Sequence, residues 1–315
     1  MEATWVGDCC GPQERCGPHP RRPSVGVLES PDRVAQDGAM KRGLAVPLLG
    51  WVLSGWALAA CAPGGSTPAL SFTEALDLGL QQGTARFDHS GFEPVLSHVD
   101  PDDGRVDYQA LVDDPSDLDA YLEQVAKVDL TTLGRDEQLA LLINAYNAFT
   151  LKLITLNYPV DSIMDLPDPW KQVRWVVGGY TVSLDGIEHE TIRPRFQDPR
   201  IHFAVFCASV GCPKLQPVPY RGETVDAQLE SAADAALSNR RHVRVEAGSL
   251  WVTQLFEWYG EDFVSEGWHG AAASVPLYVK AHTDADTAAF ITSQNDDPPV
   301  EYIPYDWSLN DVRAR

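Results

Sequence analysis

The feature that most constrains the fold is the helical pattern from Gly134 to Asn157. Apolar residues recur there every three to four positions and form a wide stripe, which is typical of a helix packed against other elements. Pro159 ends the pattern, because proline cannot continue a helix. Asn144 and Asn147 lie close to the stripe, and buried amides need hydrogen-bond partners. We therefore expect these two side chains to brace neighbouring backbone or a functional site.

Shorter elements are predicted on the C-terminal side of this helix. Residues 174–184 and 243–253 have glycine-containing turns between strand-like runs, which predicts two hairpins. The β-branched and aromatic run from Ile201 to Phe206 predicts a buried strand that ends at Cys207. Further helices are expected at 187–195, 226–237, 256–263 and 288–291, and an extended aromatic tail at 302–310 is expected to pack on the sheet. The sequence thus predicts a single α+β domain, with an antiparallel or mixed sheet packed with helices.

Composition and charge narrow the class of protein. The chain has 315 residues, of which 44% are hydrophobic, and its formal net charge is -21. This many apolar and aromatic side chains argue against a disordered acidic chain. A strongly negative chain repels a phosphate backbone, so we expect no nucleic-acid partner.

An uncharged stretch near the N-terminus predicts an export signal. Met40 and the basic pair Lys41-Arg42 precede seventeen residues without a charge, from Leu44 to Ala60. A basic start, an apolar stretch and small residues at the cut are typical of a secretory signal. The stretch is shorter than the roughly 20 residues of a membrane-spanning helix. It ends in Leu-Ala-Ala-Cys61, which resembles the lipobox of bacterial lipoproteins, whose cysteine thiol is acylated after the signal is removed.

These patterns divide the chain into four segments. We expect an N-terminal extension at 1–39, a lipoprotein signal at 40–60, the lipidated Cys61 and a tether at 61–87, and a globular domain at 88–310. The extension is interpreted as the result of a start codon assigned too early, or else as a disordered segment. The protein would be lipid-anchored in the bacterial cell envelope, with a membrane as its partner. Ala62 after the cysteine resembles lipoproteins sent to the outer membrane.

The segment from Ile187 to Leu215 is the one that could carry chemistry. Cys207 opens a loop of small residues, Cys-Ala-Ser-Val-Gly-Cys, at the end of the predicted strand. In one interpretation Cys207 is a nucleophilic thiolate, His189 is its base, and Glu188 or Asp198 orients the base. His202 is the poorer base, because alternation along a strand would point it away from Cys207.

The same segment offers groups for an oxyanion or another anionic ligand. The backbone amides of Ser209 and Gly211 would form an oxyanion site, since small residues let a ligand approach the backbone. Three arginines in the segment would lower the pKa of a nearby thiol or bind an anionic ligand: Arg193, Arg195 and Arg200.

Other interpretations of the cysteine pair remain open. Cys207 and Cys212 would form a structural disulfide in an oxidising compartment, or a redox-active dithiol, or a pair of inert buried thiols. No cofactor is expected, although His189, His202 and the two cysteines are the residue types of a tetrahedral zinc site. Their spacing matches no standard zinc motif.

Several motifs together resemble the family catalogued as domain of unknown function 547, over roughly Asp88 to Asn310. They are Ile143-Asn-Ala-Tyr-Asn-Ala148, Pro169-Trp-Lys171, Leu184-Asp-Gly-Ile-Glu-His189, Arg200-Ile-His-Phe-Ala204, Cys207-Ala-Ser-Val-Gly-Cys-Pro213, Trp258-Tyr259, Asp262-Phe263 and Tyr305-Asp-Trp-Ser-Leu-Asn310. The resemblance implies no activity, since the family's name states that none is established. From the residues, we expect a thiol-dependent hydrolase or acyltransferase acting on an envelope substrate. The alternatives are a non-catalytic envelope binding protein with a Cys207–Cys212 disulfide, and a dithiol redox protein.

Overall fold

The computed structural model describes residues 70–313. Within them the chain forms an α+β domain of eleven α-helices and five short strands. The predicted extension, the export signal and Cys61 lie outside the described residues. The helices are α1 (Phe72–Gln82), α2 (Glu93–Leu96), α3 (Tyr108–Asp113), α4 (Ser116–Lys127), α5 (Arg135–Thr155), α6 (Leu184–Ile187), α7 (Arg193–Phe196), α8 (Val225–Leu237), α9 (Leu255–Val264), α10 (Val275–His282) and α11 (Ala285–Ser293). The strands are β1 (Trp175–Val177), β2 (Tyr180–Val182), β3 (Val243–Glu246), β4 (Ser249–Thr253) and β5 (Val300–Ile303).

Helix α5 is the centre of the larger hydrophobic core. The structure confirms the predicted helix, but α5 is buried around its whole circumference from Gln138 to Ile154, with Lys152 the one partly exposed position. A helix surrounded on every side has to satisfy the polar groups that it carries, because no water reaches them. The side chains of Asn144 and Asn147 must therefore form hydrogen bonds inside the core, which fixes their positions.

Two small sheets replace the single sheet expected from the sequence. β1 and β2 form an antiparallel hairpin with the turn Gly178-Gly179, as predicted. β3 and β4 form the second predicted hairpin, with the turn Ala247-Gly248, and β5 adds to β4 in parallel. Both turns use positive φ angles, which glycine adopts without strain. The three-stranded sheet is therefore mixed, and the start of the predicted tail is its third strand.

The predicted strand from Ile201 to Phe206 is wrong. Pro199–Phe203 is a 3-10 helix whose first turn is capped by Asp198, which accepts a hydrogen bond from the backbone N–H of Arg200. Proline fits the first turn of a helix, and an aspartate before it is a helix start signal. These two residues outweigh the β-branched and aromatic composition that follows. Strand alternation therefore does not set the relative directions of His202 and Cys207.

The segment 201–206, which begins in this 3-10 helix, lies between two hydrophobic cores. Ile201 and Phe206 pack in the core around α5, whereas Phe203 packs in a second core formed by the three-stranded sheet and helices α8 to α11. A segment held from both sides has little freedom to move. Cys207 comes directly after Phe206, so the backbone on its N-terminal side is held rigidly.

The folded part begins earlier than the sequence suggested. Ala75 and Leu76 of α1 are buried in the core around α5, although residues 61–87 were assigned to a tether. Ser71 begins α1 with a capping box in which Ser71 and Glu74 exchange hydrogen bonds. Among residues 70–313, the helices are all too short or too polar to cross a membrane.

Candidate functional site

Asn147 holds the backbone that leads into Cys207. Its side-chain amide donates to the carbonyl of Ala204 at 3.0 Å and accepts from the N–H of Phe206 at 2.8 Å. Asn144 holds Tyr220 in the same way, at 2.7 Å and 2.9 Å. The prediction that these asparagines brace backbone is confirmed, and Asn147 braces the segment that carries the cysteine.

The Cys207 thiol lies among hydrogen-bond donors. Its Sγ is 3.0 Å from the hydroxyl of Tyr305 and 3.1 Å from that of Ser209. The Cys212 thiol, these two hydroxyls and the Ser209 N–H lower the pKa of Cys207, although burial opposes them. Cys207 as a residue is partly exposed. Cys207 is therefore accessible and favours its nucleophilic thiolate form.

Cys212 lies beneath Cys207 and has the opposite properties. The backbone N–H of Cys207 donates to its Sγ at 3.2 Å, and the side chain is buried. Burial raises the pKa of Cys212 well above its ordinary value. Both thiols are free, so the structural disulfide is not formed here.

The loop from 207 to 212 is fastened to the C-terminal tail. The N–H groups of Val210 and Gly211 donate to the carbonyls of Ser308 and Asp306, each at 2.8 Å. A Cβ at Gly211 would lie 2.8 Å from the backbone N of Asp306, so only glycine allows this approach. The small residues of the loop thus accommodate the tail, and the predicted oxyanion site at Ser209 and Gly211 does not form. Ala208 has a φ of 58°, a strained conformation for a residue with a side chain.

A π-helical turn between α6 and α7 carries the predicted acid–base pair. Residues Glu188–Ile192 form this turn, and single π-turns within helices often occur at functional sites. Glu188 is buried, and its Oε1 is 4.0 Å from Nδ1 of His189 and 3.9 Å from Nδ1 of His202. On a regular helix Glu188 and His189 would face apart, but the turn brings both toward the same region.

A buried carboxylate that sequence reasoning missed organises the histidines. Asp262 of α9 accepts from Nε2 of His202 at 2.8 Å and from Arg193 through two bonds, at 2.7 Å and 2.9 Å. Arg193 is also 3.1 Å from Nδ1 of His189. Burial lowers the pKa of His202, while the hydrogen bond to Asp262 opposes that effect. His202 is thus held in place by a carboxylate rather than by backbone.

Tyr146 binds the histidine cluster through Glu188 and is close enough to Cys207 to feel its charge. It lies on α5 one position before Asn147, and its hydroxyl donates to Glu188. Burial raises its pKa well above the ordinary value, and the negative charges of Glu188 and Cys207 add to the effect. The Tyr146 hydroxyl therefore keeps its proton and donates it to the hydrogen bond with Glu188.

Four aromatic rings form one side of the thiol's surroundings, and we refer to Trp170, Trp258, Tyr305 and Trp307 as the aromatic wall. The ring of Tyr305 is 4.5 Å from that of Trp307 and 4.9 Å from that of Trp258, and Trp170 lies 6.0 Å from Trp307. All four are partly exposed. The aromatic wall is thus an apolar surface beside Cys207, and its one hydroxyl, that of Tyr305, contacts the sulfur.

The remaining predicted residues have other partners. Asp198 pairs with Arg200 at 2.7 Å, and Arg200 also binds Asp226 and Glu230. Arg195 pairs with Asp77 of α1. Asp198 is therefore engaged in an ion-pair network, and Arg193, Arg195 and Arg200 each bind different carboxylates.

The four residues of the zinc alternative do not converge on one point. Within 70–313, the His, Cys, Asp or Glu side chains that bring three ligand atoms within 4.8 Å of one another are Glu230, Asp234 and His282. Two of these three are exposed, and Glu230 already pairs with Arg200. Acidic groups at a surface are common without a metal.

The fold and the site define an α+β domain with a half-buried thiol beside an aromatic wall and with a separate histidine–carboxylate cluster. Residues 130–235 of this domain match the family described as Protein of unknown function, DUF547, which supports the resemblance of the motifs. The matched stretch contains Tyr146, Glu188 and Cys207, whereas Asp262 and Tyr305 lie beyond it. No curated protein and no solved structure matches the chain.

Proposed function

We propose that this protein is a thiol-dependent hydrolase or acyltransferase in which Cys207 is the nucleophile. One observation carries the proposal: a partly exposed thiol receives several hydrogen bonds that favour its thiolate form. The thiolate is the form of cysteine that attacks an acyl carbon, and the product is a thioester. A lowered pKa makes this form more abundant at a given pH.

The neighbouring cluster offers the proton transfers that such a reaction needs. Deacylation requires a group that removes a proton from water or from an acceptor alcohol or amine. Glu188 and His189 lie 4.0 Å apart, and Tyr146, which donates to Glu188, is close enough to Cys207 to feel its charge. We assign the proton-accepting role to this pair, with Arg193 and Asp262 as positioning residues. Asp198 has no part in the proposal, because its carboxylate binds Arg200.

Thiol reactivity tests the proposal in the full chain. Trypsin cleavage after Arg200 and Lys214 releases the peptide 201–214, which contains the two cysteines of the site. We expect iodoacetamide to alkylate Cys207 with a midpoint below the roughly 8.5 of a free thiol. In Tyr305→Phe the midpoint should rise by about one unit, because one donor to the thiolate is lost.

Acyl transfer is measured with a chromogenic ester, para-nitrophenyl acetate. Cys207→Ser should reduce acylation at least roughly a hundredfold. Cys212→Ser is the matched control and should keep most of the reaction, because the nucleophile remains. Full ester reactivity in Cys207→Ser, or an ordinary alkylation midpoint in the unchanged protein, would rule the proposal out.

We propose further that Cys61 carries the lipid that anchors the protein in a bacterial envelope. The support is the sequence alone: a basic start, an uncharged stretch and Leu-Ala-Ala-Cys61. In a bacterium that processes lipoproteins, the protein should be found in the membrane fraction with Cys61 as its first residue. Cys61→Ser should remain an uncut precursor without lipid, whereas Cys207→Ser should be processed normally. Normal lipid labelling of Cys61→Ser would contradict this assignment.

A further inference from the structure

We propose that Cys207 and Cys212 have a second, redox activity, in which a hydroperoxide oxidises Cys207 and Cys212 then closes a reversible disulfide. The inference rests on the proposed function only in using the same Cys207 thiolate. Its products are an oxidised cysteine pair and a reduced peroxide, and neither involves an acyl group.

The Cys212 sulfur lies directly beside Cys207. The loop folds back so that the N–H of Cys207 meets Sγ of Cys212 at 3.2 Å, and the Cys212 thiol hydrogen-bonds the Cys207 sulfur. Cys212 packs in the buried core around α5, while Cys207 is partly exposed. An external oxidant therefore meets Cys207 first, and Cys212 is reached only from within the protein.

The different environments of the two thiols match the two steps of such a cycle. An attacking thiol has to be a thiolate, and hydrogen bonds favour this form at Cys207. Burial raises the pKa of Cys212, so Cys212 stays protonated until Cys207 changes. A low-pKa accessible thiol beside a second thiol is the usual arrangement of oxidisable cysteine pairs.

The reaction balances with the hydroperoxide as the only oxidant. The Cys207 thiolate attacks one oxygen of the O–O bond, which breaks, and Cys207 becomes a sulfenic acid. The departing oxygen takes up the proton that the thiol released when it ionised, and it leaves as an alcohol or water. The Cys212 sulfur then attacks the Cys207 sulfur, its proton leaves with the hydroxyl as water, and the disulfide forms. Two thiols have lost two electrons and two protons, and one peroxide has been reduced.

The surroundings of Cys207 favour a small oxidant. The hydroxyl of Tyr305 contacts the Cys207 thiol. The ring of Tyr305 packs against the ring of Trp258, with 4.9 Å between their centres. A peroxide is small enough to reach a half-buried sulfur, and the hydroxyls of Tyr305 and Ser209 can donate to its oxygens. Oxidation would also remove the nucleophile, so acyl transfer and peroxide reduction would exclude each other at this site.

Peptide mass spectrometry of the full chain tests the inference. One equivalent of hydrogen peroxide is added, free thiols are alkylated, and the peptide 201–214 is analysed. We expect the peptide to lose the mass of two hydrogens, to resist alkylation, and to recover both thiols with dithiothreitol. Cys212→Ser should instead accumulate a sulfenic acid that dimedone traps, and Cys207→Ser should stay reduced.

The outcomes separate this inference from the proposed function. If the unchanged protein keeps two alkylatable thiols after peroxide, or accumulates the same dimedone adduct as Cys212→Ser, the redox activity is refuted while acyl transfer stands or falls by its ester assay. If the disulfide forms but Cys207→Ser leaves ester reactivity unchanged, the pair is a redox centre and the acyl-transfer proposal fails. The measurement on the unchanged protein requires no variant to fold.

Discussion

Replacing Asn147 with alanine is expected to lower the free energy of unfolding by on the order of 3 kcal/mol and to abolish the special reactivity of Cys207. The substitution leaves the carbonyl of Ala204 and the N–H of Phe206 without a partner in a buried position. Each unpaired buried backbone group costs about 1–3 kcal/mol. The loop that aims Cys207 at its donors would lose its anchor, so the alkylation midpoint of Cys207 should rise toward that of an ordinary thiol. Denaturant unfolding and the alkylation profile measure the two effects.

Asn144→Ala is the matched control on the same helix. Asn144 makes the same pair of backbone bonds, but to Tyr220, and it also contacts Nδ1 of His89 at 3.0 Å. We expect a comparable loss of stability with little change at Cys207 in the molecules that stay folded. If both variants shift the alkylation midpoint equally, the effect is one of general loosening, and Asn147 does not position the cysteine.

The sequence was informative where periodicity and turn chemistry are local. Helix α5 and both hairpins were predicted, because their patterns depend on neighbours a few positions apart. The prediction of a strand at 201–206 was wrong because Asp198 and Pro199 start a helical turn. The backbone of Ala204 and Phe206 then forms hydrogen bonds with Asn147, where a strand would pair with a neighbouring strand. A partner almost sixty positions away leaves no local signal.

The candidate site was predicted only in part for the same reason. Cys207, Glu188 and His189 lie in one segment that the sequence singled out. Tyr305 is 98 positions from Cys207, and Asp262 is 60 positions from His202. Both belong to motifs that carry the family resemblance, yet their contacts follow only from the fold.

Acid is expected to destabilise the protein as the pH falls from 6.5 to about 4, because two buried histidines have lowered pKa values. Burial lowers the pKa of both His89 and His242 from 6.5 to about 4. For His89 the neighbouring charge of Arg221 adds to burial, and Asp88 opposes it. Nδ1 of His89 lies 2.8 Å from the hydroxyl of Tyr121, so a neutral ring can accept that hydrogen bond.

The direction of the pH dependence follows from these values. In the unfolded chain each of these histidines binds a proton near pH 6.5, whereas in the folded chain it binds one only near pH 4. The stabilisation is therefore complete above pH 6.5, is lost progressively as the pH falls, and is gone below about 4. Each histidine contributes on the order of 3 kcal/mol over this window.

Denaturant unfolding between about pH 7 and about pH 4.5 measures the slope of stability against pH. His89→Asn keeps an acceptor near the position of Nδ1 but removes the proton-binding ring, so the slope should fall by about one proton, or about 1.4 kcal/mol per pH unit. His242→Asn should do the same independently, and His269→Asn, which removes an exposed histidine, should leave the slope unchanged. The comparison uses slopes rather than absolute stabilities, so the cavity that each variant leaves cancels. If His89→Asn and His269→Asn change the slope of stability against pH by the same amount, burial of His89 is not the source of the acid sensitivity.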